Sequence, residues 1–383
     1  MRTRTPSLSR SQDSMEPSPT LKLPTETIAE IFHHYLPPYP LCPPFLGDSS
    51  PTRLTHVCRR WRDIALSSRA LWRAIRIDGK ETQPDDVPSR QLSFTETWFA
   101  RSEPLAVSVS YRCHFHAYYA TAPKWQHQTA ILAALFAQCH RWQYATLELS
   151  ENVPIVPSRA SPTRHMPLLV DLRLKTYSMG TEVALAKLDT PRLRRLEGIL
   201  QSHDNYMVLF GPSVLGGLTH LTLHFIAVTD AWSLLKHCPL LTHCRLLVTN
   251  AVFLGSEFEE THVRVPLSNL TTLVLDFAGG VVPNIDVLLS AVALPALQNL
   301  AINESLANFG LSQAFADDPH CAKTLAAAVD RWDCHLQTLS VLRCDFRKRE
   351  KVLEEYSRAF GGVGQIELLD KDDDEILRGR WFA

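Results

Sequence analysis

Apolar side chains recur along the chain in a frame at i, i+3 and i+5. The frame appears as Tyr144/Leu147/Leu149, Leu169/Leu172/Leu174, Leu193/Leu196/Gly198, Leu218/Leu221/Leu223 and Leu241/Cys244/Leu246. It continues as Leu270/Leu273/Leu275, Leu297/Leu300/Ile302, Leu336/Leu339/Val341 and Val363/Ile366/Leu368. Successive frames start 25, 24, 25, 23, 29, 27, 39 and 27 residues apart. Alternation at i+3 and i+5 predicts a short strand with one face turned inward. Proline stands two residues before the frame at Pro167, Pro191, Pro239 and Pro295. The longest step admits an insertion around Asn308–His320 or a degenerate unit, and Gly198 predicts a weak strand. Helical connectors are expected at Ala231–His237 and Ala322–Trp332.

The N-terminal third has a different rhythm. Leu54, Val57, Cys58, Trp61, Ile64 and Ala65 follow the i, i+3, i+4, i+7 spacing of one helix face, with Arg59, Arg60, Arg62 and Asp63 opposite. This predicts a helix over 54–66, followed by a second apolar pair, Leu71 and Trp72. An earlier helix opens at Pro24, with Thr25 as a cap and Glu26 where the helix dipole favours a carboxylate. Ile28, Ile31, Phe32 and Tyr35 continue it until Pro37-Pro38. Residues 37–52 predict an irregular proline-rich loop, and 73–77 an extended segment. The polar stretch 79–92 reads as a linker. Beyond it come a helix at 94–99, a strand on Leu105, Val107 and Val109, a helix at 127–139 and a strand at 142–149. Residues 1–20 are Ser, Thr, Pro and Arg and are expected to be disordered.

Composition narrows the function classes. Apolar residues make up 45% of 383, enough for a large core. With 39 basic and 40 acidic residues the formal charge is -1, so nothing draws phosphate backbones or anionic lipid to the chain. Nine scattered cysteines without a C-x-x-C read as reduced thiols of the cytosol or nucleus. No stretch approaches a membrane span. The Arg/Ser-rich start has no apolar core for a secretory signal, and Pro6, Pro17 and Pro19 oppose the amphipathic helix of a transit peptide.

Catalytic chemistry is thin. There is no G-x-S-x-G elbow, no G-x-x-x-x-G-K-[ST] loop and no G-x-G-x-x-G. His220 and His243 fall on adjacent predicted strands, but no third ligand at metal spacing supports them. Cys113-His-Phe-His116 likewise lacks partners. Asp370-Lys-Asp-Asp-Asp-Glu375 reads as a solvated cap near the last repeat. The expectation is no catalytic residue, no metal and no cofactor.

Two stretches together carry a resemblance. LPTETIAEIF, then THVCRRWRDIALSSRALW, resembles the F-box motif in the form common among fungal F-box proteins, over about residues 21–78. The order helix, RS-x-P-L strand (from Arg101), helix, RW strand (from Arg141) is similar to the segment that follows the motif in that family. The resemblance implies a helical unit that docks on a Skp-type adaptor and through it on a cullin-RING (SCF) ubiquitin ligase. The implied adaptor contacts are Leu23, Pro24, Ile28, Ile31, Phe32, Leu54, Val57, Cys58 and Trp61. Leu71 and Trp72 would face the next domain. The proline-rich loop is longer than in the compact form of the motif.

The repeating frame, L-x-x-L-x-L at roughly 20–29 residues, is the leucine-rich-repeat signature. The expected fold is therefore α/β: an N-terminal helical F-box-like module followed by a leucine-rich-repeat-like solenoid. Its parts would be a disordered 1–20, the module at 21–78, a linker and solenoid N-terminal cap at 79–137, and a substrate-recognition domain at 138–383. Residues between the inward leucines would form the binding face. Candidate substrate contacts are Arg173, Lys175, Arg195, Glu197, His220, His224, His243, Arg245 and Asp276. The expected partners are the adaptor and an unknown protein substrate, with no nucleic acid and no membrane, in the cytoplasm or nucleus. The alternatives are an interaction scaffold outside any ligase and a metal-dependent enzyme at the histidine column.

Overall fold

The computed structural model describes residues 23–80, 86–114, 122–149, 163–176, 187–199, 204–249, 264–277, 279, 282–283, 285–307, 321–344 and 349–370. The expected disorder at 1–20 and the insertion at 308–320 lie outside the described residues, as do His116 and all of the acidic run but Asp370. The fold is mixed α/β, built on one large parallel sheet.

That sheet has eleven strands: β1 (Ala74–Lys80), β2 (Val107–His114), β3 (Trp142–Leu149), β5 (Asp171–Thr176), β7 (Arg195–Ile199), β8 (His220–Ile226), β9 (His243–Val248), β11 (Thr272–Phe277), β13 (Asn299–Asn303), β14 (Thr338–Leu342) and β15 (Gln365–Leu369). Each lies parallel beside the strand before it in the chain, so the sheet grows in one direction. Two small parallel pairs flank it, β4 (Thr163–His165) with β6 (Lys187–Asp189) and β10 (Val265–Pro266) with β12 (Val292–Ala293).

The nine frames expected from the sequence all fall on strands of this sheet. Leu172, Leu196, Leu221, Cys244, Leu273, Leu300, Leu339 and Ile366 stand in one register row, and Leu174, Gly198, Leu223, Leu246, Leu275, Ile302, Val341 and Leu368 in the next. All of these except Ile366 are buried. Gly198 keeps its place in the ladder between Leu174 and Leu223.

The first frame needs correction. Leu172 pairs with Ala145 and Leu174 with Leu147, so the inward set of β3 is Trp142/Ala145/Leu147, two residues earlier than Tyr144/Leu147/Leu149. Trp142 is fully buried and Ala145 nearly so, whereas Tyr144 is half-buried. The same frame runs further back, as Val107/Val109/Tyr111 on β2, where a register shift after Val107 sets that residue beside Trp142, and as Ile75/Ile77 on β1 with Trp72 just before it. The sheet thus begins inside the segment read as the helical module. The boundary at 78–79 falls within β1, and one core cluster runs unbroken from Ile28 to Leu368.

Helices close the other side: α4 (Asp86–Ser102), α5 (Ala122–Ala137), α6 (Asp204–Leu215), α7 (Val228–Leu235), α8 (Asp286–Ala291), α9 (Glu304–Ala307), α10 (Cys321–Asp330) and α11 (Arg349–Ala359). α4 extends well into the stretch 79–92, where the sequence predicts a linker. α7 and α10 match the two expected connectors to within a few residues.

The N-terminal unit holds α1 (Thr25–Tyr35), α2 (Pro51–Leu54) and α3 (Arg59–Ser67). The expected helix over 54–66 is broken. α2 ends at Leu54, Cys58 adopts extended backbone, and its Sγ accepts from the Trp61 N–H at 3.5 Å, capping α3. Val57 therefore leaves the apolar face it was assigned to and is exposed. The proline-rich loop is irregular but seated on the first strands. Pro44 bridges to Arg76, Ser108 Oγ donates to the Pro40 carbonyl at 2.7 Å, and Tyr39 OH donates to Gln143 Oε1 at 2.9 Å. The Arg73 guanidinium lies over the Tyr39 ring at 3.7 Å.

Candidate functional site

Two surfaces hold the residues singled out from the sequence. The first is the helical unit. α1 buries Ile28 and Phe32 against α3, where Phe32 meets Trp61 edge-on at 4.9 Å, and Leu54 is buried beside them. The flank of α1 beside that buried pair exposes Ile31 (46%) and Tyr35 (39%), Pro24 is exposed at its N-cap, and the turn before α3 exposes Val57 (57%). Of the nine residues implied as adaptor contacts, Ile28, Phe32 and Leu54 are thus internal and unavailable to a partner. Leu23, Cys58 and Trp61 are half-buried. Tyr35 and the loop residues Leu41 (60%) and Leu46 (66%) join the exposed apolar set. The α1 spacing of three and four pointed to Tyr35, but nothing in the sequence marked which side of α1 would close on α3.

The second surface is the sheet face turned away from the main core. Its first row runs Asp171, Arg195, His220, His243, Thr272, Asn299, and its second Arg173, Glu197, Thr222, Arg245, Val274, Ala301. Over β3 to β7 the face is charged, with Arg173 exposed and Asp171, Lys175 and Arg195 half-buried. Glu148 receives Arg112 at 3.8 Å and Lys175 at 3.3 Å; Glu197 receives Arg173 and His224, each at 3.7 Å. Arg112 and Glu148 are not among the expected contacts because the strand-face columns start from the second frame, at Asp171 and Arg173.

Threonines fix the imidazoles. Thr219 Oγ1 donates to the Arg194 carbonyl at 3.1 Å, and Thr242 Oγ1 donates to the Thr219 carbonyl at 2.9 Å. Each hydroxyl also lies within hydrogen-bond reach of the adjacent imidazole, His220 Nδ1 at 3.0 Å and His243 Nδ1 at 2.9 Å. The two imidazoles stack at 4.4 Å with planes 4° apart, an arrangement in which their in-plane lone pairs do not converge on one ion. Among the described residues no cluster of three or more metal-ligating side chains occurs.

Electrostatics on this face carry a pH signature. Burial, then His243 and Arg195, lower His220 from 6.5 to about 4. The nearby His224 imidazole, helped by Arg173 and Lys175 and opposed by burial, lowers Glu197 from 4.5 to about 2. Below pH 6.5 the unfolded chain protonates its histidines while folded His220 stays neutral, so stability falls as pH drops from 6.5 toward 4. The Glu197 contribution is complete above 4.5 and is lost as pH falls through about 2. Thermal melts against pH should show both windows. H220N should flatten the upper one and E197Q the lower one.

Toward the C-terminal strands the face changes character. His224 (7%), Arg245 (5%) and Asp276 (4%) are buried, so they do not stand on an open binding surface as expected from their columns. Asp276 Oδ1 accepts from Asn303 Nδ2 at 2.9 Å and from the Phe277 N–H at 2.7 Å, and Oδ2 pairs with Arg343 at 3.0 Å. Val274, Ala301 and Leu342 form a second apolar cluster, separate from the main core, with Leu369 packed on it.

Eight described cysteines are free thiols. Burial pushes Cys238 up to about 12 and Cys244 higher still, which makes both inert. Among the described residues no helix is long and apolar enough to cross a membrane. A scan against protein-family models finds no match, and a search of curated proteins finds none.

Proposed function

We propose that the chain is a substrate-selecting adaptor: an F-box-like helical unit joined to a leucine-rich-repeat-like solenoid. The unit would dock on a Skp-type adaptor of an SCF-type ubiquitin ligase, and the open strand face would hold a protein substrate. The observation that carries this reading is the set of exposed apolar residues Pro24, Ile31, Tyr35 and Val57 on a helical unit that shares one continuous core with the sheet. A partner-docking surface on a rigid arm is what an adaptor requires. The chain itself would do no chemistry. It would raise the local concentration of a substrate near a ubiquitin carrier, in the cytoplasm or nucleus. One-way growth of a parallel sheet, one strand per frame, supports the solenoid assignment. Mixed charge with stacked histidines on this face suits a protein surface better than a nucleic acid.

Affinity purification of the full chain with mass spectrometry tests this. A Skp-type adaptor and a cullin should co-purify. I31E together with V57E should weaken adaptor capture by about 100-fold, because each puts a carboxylate into an apolar contact, while the melting temperature stays within a few degrees. Unchanged capture in that variant would move the docking site elsewhere.

A second reading is favoured by the burial of Ile28, Phe32 and Leu54. With these residues committed to the internal core, the helices can serve as an end cap of an interaction scaffold outside any ligase. A folded chain that captures substrates but no adaptor decides for that reading.

A further inference from the structure

A cavity of about 380 Å³ opens where the end of α1, the proline-rich loop and the start of β1 meet. That volume falls within the span of small-ligand sites, about 300–1,000 Å³. Its lining grades from buried Pro43, Leu71 and Ala74, through half-buried Leu36, to exposed Pro38 and Leu41. The cavity therefore has a closed apolar floor and an open apolar mouth. Pro24, Ile31, Tyr35 and Val57 do not line it, so it is separate from the exposed set on the helical unit.

Charge narrows what fits. Among the described residues that line the cavity, Arg73 carries the only fixed charge, His33 and His34 stand at the rim, and none is acidic. The Arg73 guanidinium is already placed, because the Tyr39 ring beneath it is held by Gln143 and meets Tyr144 edge-on at 5.5 Å. Arg73 has no carboxylate partner among the described residues, and its Nε is buried without a hydrogen-bond partner. Guanidinium stays charged, and a half-buried charge left without a counter-ion is costly. The complementary group is an anion that matches one planar fork, which is a carboxylate. Apolar walls ask that it be carried on an apolar body. A site built for a free small molecule covers most of its ligand. Here the exposed mouth leaves an exit, which suits a ligand that continues outward as a chain.

We propose that this cavity binds the C-terminal residue of a partner polypeptide, with the terminal carboxylate on Arg73 and a large apolar side chain against Leu36, Leu41 and Leu71. The preceding residues leave across Pro38. Because the walls come from the helical unit, the loop and the first strand, an occupied site ties the unit to the sheet. This does not depend on the ligase reading; it concerns a different surface of the same junction.

The test is a ligand-observed NMR titration of the full chain with three probes: acetyl-glycyl-glycyl-leucine, its C-terminal amide, and 4-methylpentanoate, a free acid with the same apolar body. The peptide acid should bind about tenfold or more tighter than the amide, which loses the charge-assisted bond. It should also bind about threefold or more tighter than 4-methylpentanoate, which has no outgoing chain. R73Q should bring acid and amide to the same affinity, with thermal melting reporting whether that variant folds. L41S, at an exposed position, should weaken acid and amide by the same factor. Equal affinity of the parent chain for acid and amide overturns the proposal without any variant. So does an acid preference that survives R73Q in folded protein, and so does no binding of the peptide acid up to about 10 mM. If 4-methylpentanoate binds as tightly as the peptide acid, the polypeptide occupant is overturned and the cavity belongs to a free acid.

Discussion

Replacing Arg141 with leucine should destabilise the N-terminal half of the sheet by about 3–5 kcal/mol, since several buried acceptors lose their charged donor at once. Arg141 is 6% exposed. Its Nε donates to the Leu105 carbonyl at 3.0 Å, Nη1 to the Phe99 carbonyl at 3.3 Å and to Gln138 Oε1 at 3.2 Å, and Nη2 to Ser102 Oγ at 2.8 Å. The Phe99 carbonyl belongs to the last turn of α4, where it also accepts from Ser102 Oγ at 3.0 Å. One guanidinium thus finishes a helix, fixes the turn into β2 and leads directly into β3. Lysine keeps the charge but not the planar fork, so R141K should recover less than half of the loss. Urea unfolding followed by hydrogen exchange on α4 and β2 checks this. Equal protection of α4 in R141L and the parent would show that the network contributes little.

The same network explains a piece of sequence that had only a resemblance behind it. Arg101-Ser-x-Pro-Leu105 and Arg141-Trp142 are far apart in the chain, yet Ser102 and Leu105 are bonded to Arg141, and Arg101 lies over the Trp72 ring at 4.4 Å. Spacing alone could not join them, because the link is a side chain crossing between elements. The strands were readable for the opposite reason. Each inward position repeats a chemical type at a fixed offset, and stacking neighbours in register requires that repetition. Where the type changes, the repeat is masked. Ala145 is small and Trp142 is not leucine, so Tyr144 and Leu149 drew the frame two residues late. Trp72/Ile75/Ile77 was hidden because its first member also ends the helical motif. On α3 the error was conformational. Val57 and Cys58 have helical spacing, but a cysteine thiol in an N-cap position breaks the helix without any of the usual capping residue types. The strand-face columns gave the right neighbours, including the His220–His243 pair. Burial of His224, Arg245 and Asp276 was invisible, since it depends on what lies over the sheet and not on the strand that carries them.

Truncating Trp72 to alanine should cost about 3–5 kcal/mol, the range for a buried tryptophan whose site cannot collapse. The damage should also be confined to the junction. Trp72 is fully buried and is the first inward member of the sheet's repeating frame. Its Nε1 donates to the Ala65 carbonyl at 2.8 Å, which satisfies an orphan acceptor in the last turn of α3. Its ring meets Trp98 of α4 edge-on at 4.9 Å, and Trp98 Nε1 in turn donates to the Ala74 carbonyl at 3.2 Å on β1. A single side chain therefore joins the helical unit, the first strand and the first flanking helix. Strands here touch only their sequence neighbours, so loss of this contact should propagate weakly. Hydrogen exchange should quicken in α3, β1 and α4 and stay at the parent rate in β13 to β15. L300A, at a fully buried position of β13, should show the reverse pattern with a loss of about 2–5 kcal/mol. If W72A instead loosens every strand alike, the chain unfolds as one cooperative unit and the junction has no separate stability. If it loosens α3 alone, the helices are tied to the sheet by the proline-rich loop more than by this tryptophan. The local outcome would mean that a docking unit and a strand face are coupled rigidly through one residue, which is the geometry an adaptor needs to hold a bound partner at a fixed distance from whatever the helices engage.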